Sequence, residues 1–184
     1  MDEQVVTGRT RRWIASFVIG LDLCPFARRV FEGERIRYAI SAATDPRALL
    51  DDLRRELQVL VASPIETIET TLLIHPHVLG DFPDYNDFLA DGDRLLGERG
   101  LHGVIQIASF HPDYRFAGTQ PDAVENYTNR SPYPMLHLLR EASVTAVAGD
   151  VEALREIPRR NIATMRRLGT DMILKRLRAC DRNG

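Results

Sequence analysis

The sequence predicts an α/β fold: a small, mainly parallel three-stranded sheet built from βαβαβ crossovers, flanked by N-terminal and C-terminal helices. Three observations carry this. Short apolar or β-branched runs alternate with helical patterns twelve to eighteen residues long, the signature of crossover units with parallel neighbouring strands. Two of the runs end on the same dipeptide, His75-Pro76 and His111-Pro112. The whole chain of 184 residues, 44% of them hydrophobic with only 12 glycines, suits one domain over residues 1–184.

Residues 10–24 read as the N-terminal helix, because Trp13, Ile14, Phe17, Val18 and Leu21 recur at helical spacing, and Pro25 disfavours helix at Cys24. IRYAISA (36–42) is the first strand of a core spanning 36–110. Asp45-Pro46 supplies a capping carboxylate and a first-turn proline to a helix striped with Leu49, Leu53, Leu57 and Leu60. ETTLLIH (69–75) is the second strand. A helix over 84–98 follows, in which Gly92 costs about 1 kcal/mol relative to alanine. VIQIASF (104–110) is the third and most continuous strand. The long polar loop 111–132 is punctuated by SPYP, and 134–184 reads as C-terminal helices. The first carries Met135, Leu138 and Leu139, with His137 and Glu141 on one face, and the last has Pro158 near its start.

Parallel second and third strands would place His75 and His111 at one carboxyl edge of the sheet, where α/β folds bind ligands. Their spacing would be about 5 Å for adjacent strands or twice that otherwise. With Asp113, and more weakly His77, they suit either of two chemistries. One is coordination of a divalent Zn, Fe or Mn ion, and the other is general acid/base work by imidazoles that titrate near neutrality. A histidine leaving a strand can equally spend an N–H on a backbone carbonyl. The loop DYRFAGTQPDAVENYTNR is unusually long for a connection, and Tyr114, Phe116 and Tyr127 argue that it is ordered. Within it Glu125, Asn126, Asn129 and Arg130 are substrate-orienting candidates, Arg130 through its fork of donors, while Tyr114 and Tyr127 would shape the pocket. Their bland alternative is capping and charge neutralisation.

Cys24 is a candidate nucleophile if Arg28 and Arg29 lie close enough to lower its pKa, and otherwise a small buried hydrophobe. Having only two cysteines, Cys24 and Cys180, suggests a reducing, cytoplasmic setting. A net charge of -2 gives no general reason to expect nucleic acid or membrane as partner. The basic tail (Arg159, Arg160, Arg166, Arg167, Lys175, Arg176, Arg178, Arg182) leaves about -8 for the rest, and without interleaved aromatics it reads as a solvated helix face. The apolar run after Arg12 is well below the ~20 residues of a membrane span.

The stretches GLDLCPFARRVFEGERIRY, IETTLLIHPHVLGDFPDYNDFL, GVIQIASFHPDYRFAGTQPDAVENYTNRSPYPMLHLLREAS and IPRRNIATMRRLG resemble, over about residues 13–169, the domain of unknown function family numbered 1415. Motif matching implies shared positions at Cys24 and Pro25, His75 and Pro76, His111 to Tyr114, and Glu125 to Arg130. That family commonly has glutamine at position 77, so His77 departs from it. The resemblance implies no reaction. The expected function is therefore an enzyme acting on a small polar or anionic molecule through His75, His111, Asp113 and Arg130. A noncatalytic protein- or nucleic-acid-binding module, or thiol chemistry at Cys24, is the alternative.

Overall fold

Strand β1 (Ile36–Ile40) pairs in parallel with β2 (Thr70–Ile74), Ile36 opposite Thr70. Between β2 and β3 (Ile105–Phe110) runs a fourth strand, β4 (Met135–Arg140), antiparallel to both. The sheet order is β1-β2-β4-β3, a mixed four-stranded sheet in place of the expected three-stranded, mainly parallel one. The segment misread was MLHLLR, taken for the start of a helix. As an inner strand covered on both faces it shows a near-continuous apolar run, so the period-2 alternation that marks a strand is lost. The computed structural model describes residues 2–148 and 151–181; Arg182 of the basic tail lies outside the described residues.

The helices start where side chains can cap them. Asp2 accepts from the Gln4 N–H at 2.8 Å and opens α1 (Glu3–Trp13) well before residue 10. The chain then continues through a π-helical turn, Ile14–Ile19, and a short α2 (Ala27–Glu32) that the sequence reading missed. In α3 (Pro46–Ala62) Asp45 accepts from the Ala48 N–H at 2.9 Å, as the sequence predicts. Helix α4 (Phe82–Glu98) begins two residues early, after Asp81. Its Gly92 is buried, and a Cβ there would stand 3.3 Å from the Ile107 side chain, so the glycine lets helix and sheet approach. Helix α5 (Glu141–Ala148) follows β4 directly. Helix α6 (Val151–Asp181) begins ahead of Pro158 and is broken at Gly169, whose φ of 72° few other residues adopt.

Each face of the sheet carries a core. Leu136 and Leu138 of β4 point to the side covered by α3 and α4, with Leu49, Leu53, Leu57, Leu60 and Tyr85. Met135 points to the other, with Val6, Trp13, Phe17, Leu72, Met165 and Ile173 from α1, the π turn, β2 and α6. The apolar side of α6 thus docks on the body as the sequence reading expects, and Arg12 Nε donates to the Cys180 carbonyl at 3.0 Å. Among the described residues no helix is long and apolar enough to cross a membrane.

Candidate functional site

His75 and His111 leave the ends of β2 and β3 at one edge of the sheet, with β4 between those strands. Both are fully buried. The Tyr85 ring lies between them, 5.8 Å from one imidazole centroid and 5.1 Å from the other. His75 Nδ1 donates to the Val78 carbonyl at 3.0 Å. His111 Nδ1 accepts the Asp113 N–H at 3.0 Å, so the proton sits on Nε2, which donates to the Leu79 carbonyl at 3.2 Å. The two rings therefore pin a segment in which Leu79 has a φ of 56°, a conformation that needs such support in a non-glycine residue. Burial lowers the pKa of both, His75 to about 4.

These contacts do not favour the expected metal or acid/base set. Three of the four imidazole nitrogens bond backbone, and the fourth, His75 Nε2, is sealed off without a partner. Asp113 and His77 are exposed, and among the described residues no three His, Cys, Asp or Glu side chains gather to hold a metal ion. The reason is local: a chain leaving a buried strand has backbone groups to satisfy, and the imidazoles satisfy them.

The long loop is ordered, as its aromatics suggest, by side chains that the sequence reading reserved for substrate. Fully buried Asn126 accepts from the Phe116 N–H (3.0 Å) and Thr119 hydroxyl (2.8 Å) and donates to the Gln120 carbonyl (2.8 Å). Arg130 lies over the Tyr127 ring at 4.3 Å and donates to the Tyr114 and Pro121 carbonyls, which leaves its fork turned onto backbone instead of an anion. Asn129 donates to the Ser109 carbonyl at 3.1 Å, and Tyr114 packs between Phe82 and Phe116. Replacing Asn126 with alanine is expected to cost about 2 kcal/mol by orphaning these buried groups and to expose Arg115 to trypsin. Unchanged urea midpoint and tryptic pattern would contradict that role.

On the opposite face of the sheet lies a cavity of about 650 Å³. It forms over edge strand β3, where Gln106 and Ala108 make the floor and helices meet only at the sides. Cys24, Pro25 and Phe26 form one wall, the loop residues Phe116, Thr119, Glu125, Thr128 and Asn129 another, and Ile157, Pro158, Asn161 and Ile162 of α6 a third. Glu125 pairs with Arg166 at 3.3 Å. The Cys24 turn is held by α6, since Asn161 Nδ2 donates to the Leu23 carbonyl at 2.8 Å and Arg160 to that of Asp22 at 3.1 Å. Burial raises the Cys24 pKa, against the N–H groups of Phe26 and Ala27. Arg28 and Arg29 do not lower it as expected: they pair with Glu32 and Glu69.

A second, smaller cavity of about 50 Å³ adjoins Cys24 and is lined by Trp13, Thr70, Phe110 and His137. His137 Nε2 lies 2.8 Å from the Thr70 hydroxyl, and burial lowers its pKa to about 4. Sequence reasoning placed His137 on a helix face beside Glu141, whereas it stands on β4 opposite Leu72. The signal was there, a single polar residue in the apolar run MLHLLR.

A family model described as Protein of unknown function (DUF1415) matches residues 5–175 of the chain. Comparisons with curated proteins and with solved structures return no match.

Proposed function

We propose, for a chain that belongs to the DUF1415 family, an enzyme that takes a small, largely apolar molecule into the 650 Å³ cavity and works on it with the Cys24 thiol. The observation that carries this reading is the cavity itself: a concave site of ligand-binding size, mostly apolar, with a few polar residues and Cys24 on its wall. Glu125 is the one charged side chain among the described lining residues. A neutral or cationic ligand therefore fits better than the anionic one first expected, and Arg130 is no longer its binder.

A neutral fluorescent probe tests the site. N-phenyl-1-naphthylamine is expected to bind one to one, and Val144→Trp, which fills the cavity from α5, is expected to weaken that binding at least tenfold with unchanged circular dichroism. Equal binding by both proteins would remove the cavity as the site.

A second reading, a noncatalytic carrier for the same ligand, draws on one observation. Burial keeps the resting sulfur protonated, which slows attack by thiolate. The two separate on Cys24→Ser: the enzyme loses turnover while still binding the probe, whereas the carrier loses nothing.

A further inference from the structure

We propose that His137 is the proton acceptor of Cys24, the two forming a thiol–imidazole couple set back to back across the 50 Å³ cavity. This rests on the reading of the large cavity as the working site. Cys24 belongs to the walls of both cavities, so its sulfur can meet a ligand on one side and a base on the other.

The hydrogen bonds fix which nitrogen is the base. Thr70 Oγ1 lies 2.7 Å from the Leu138 carbonyl oxygen, a distance two oxygens keep only with a hydrogen between them, so the hydroxyl's one proton goes there. The same Oγ1 lies 2.8 Å from His137 Nε2, which must therefore donate to it. Nδ1 is left with its lone pair, and among the described residues nothing hydrogen-bonds to it. Thr70 acts as the third group that orients a base behind a nucleophile.

The Thr70 hydrogen bond accounts for Nε2 but not for Nδ1. The ring is partly buried, and it lines a cavity walled by Trp13, Phe110 and Leu72. In such a setting phenylalanine or leucine would fill the space without an unmet polar nitrogen. Burial holds the ring neutral at pH 7, the form that accepts a proton. The charged groups nearby are Asp22 and Arg160, both beside Cys24; burial alone sets the state of His137. Cys24 and His137 are not directly hydrogen-bonded; both border the 50 Å³ space, whose other walls are mostly apolar, and the proton passes when the Cys24 side chain turns into that space toward Nδ1.

The step takes a small neutral electrophile bearing a leaving group at carbon. The Sγ–C bond forms as the bond from that carbon to the leaving group breaks; the thiol proton passes to Nδ1, and the leaving group departs with its electron pair into the large cavity, where solvent protonates it.

The test is the rate of Cys24 alkylation by iodoacetamide between pH 5 and 9, read by peptide mass mapping so that Cys180 is scored separately. Wild type is expected to show a component flat from pH 6 to 8. His137→Phe is expected to lose it, with a rate at least tenfold lower at pH 7 that rises tenfold per pH unit. Thr70→Val, which keeps the imidazole but releases its tautomer, loses part of the flat component and decides the matter should His137→Phe fail to fold. Identical pH profiles in wild type and variants would overturn the couple. If the naphthylamine probe still binds in that case, the cavity reading stands without it; if wild type does not bind the probe, the cavity reading itself falls.

Discussion

Acidification from pH 7 to pH 5 removes on the order of 4 kcal/mol of folding stability. His75 and His137 are held near a pKa of about 4 in the folded protein by burial, whereas in the unfolded chain a histidine titrates near ~6.5. Below ~6.5 the unfolded chain takes up protons that the folded one declines, so the equilibrium moves toward unfolding. The stability from keeping these rings neutral is complete above that pH and is lost as pH falls toward 4. At pH 5 each ring accounts for about 2 kcal/mol. His111, lowered for the same reason, acts in the same direction. Urea titrations at pH 7, 6 and 5 read the effect as a falling midpoint, and His75→Phe is expected to reduce the slope by about half. A midpoint that is the same at pH 7 and pH 5 would show that the rings are accessible to protons in the folded state.

Tyr85→Phe is expected to cost about 3 kcal/mol, or roughly 6–12 °C in melting temperature for a chain this long. The ring would stay, stacked on His75 and against His111. What disappears is a hydroxyl that accepts the Phe110 N–H at 3.0 Å and donates to the Met135 carbonyl at 2.9 Å. Those residues are opposite each other at the end of the β3–β4 ladder, so the tyrosine closes the sheet edge where both strands meet the long loop. Phenylalanine would leave a donor and an acceptor in a buried place with no substitute. Tyr114→Phe is the control. Its ring packs between Phe82 and Phe116 with no hydrogen bond from its hydroxyl among the described residues, so it is expected to change stability by about 0.5 kcal/mol or less. A Tyr85→Phe melting temperature equal to that of the control would mean that water replaces the hydroxyl.

His75 and Tyr85 lie at the edge where the sequence pointed to chemistry, and the effects expected of them are on stability. His75, His111, Asn126 and Arg130 are the polar residues that fold an irregular segment onto a sheet edge. In sequence such residues look the same as ligand-binding ones, because the hydrogen bonds that hold a loop and those that hold a substrate use the same side chains. What separates them is whether a partner already occupies the donor, and that partner is usually elsewhere in the chain. Cys24 shows the converse. Its neighbours Arg28 and Arg29 turn to Glu32 and Glu69, while its working surroundings come from β3, the loop and α6.

By itself the sequence determined the capped helix after Asp45-Pro46, three of the four strands and their common direction, the placement of both His-Pro pairs at one sheet edge, and an ordered loop. These follow from local periodicity, capping and turn chemistry, which act over a few residues. Only the tertiary structure decided that MLHLLR enters the sheet between β2 and β3, because a strand covered on both faces has no alternation to read. It alone also decided that the cavity lies on the face of the sheet beside Cys24. A cavity is the space several distant segments leave when each packs its own apolar side, and no one of those segments encodes it.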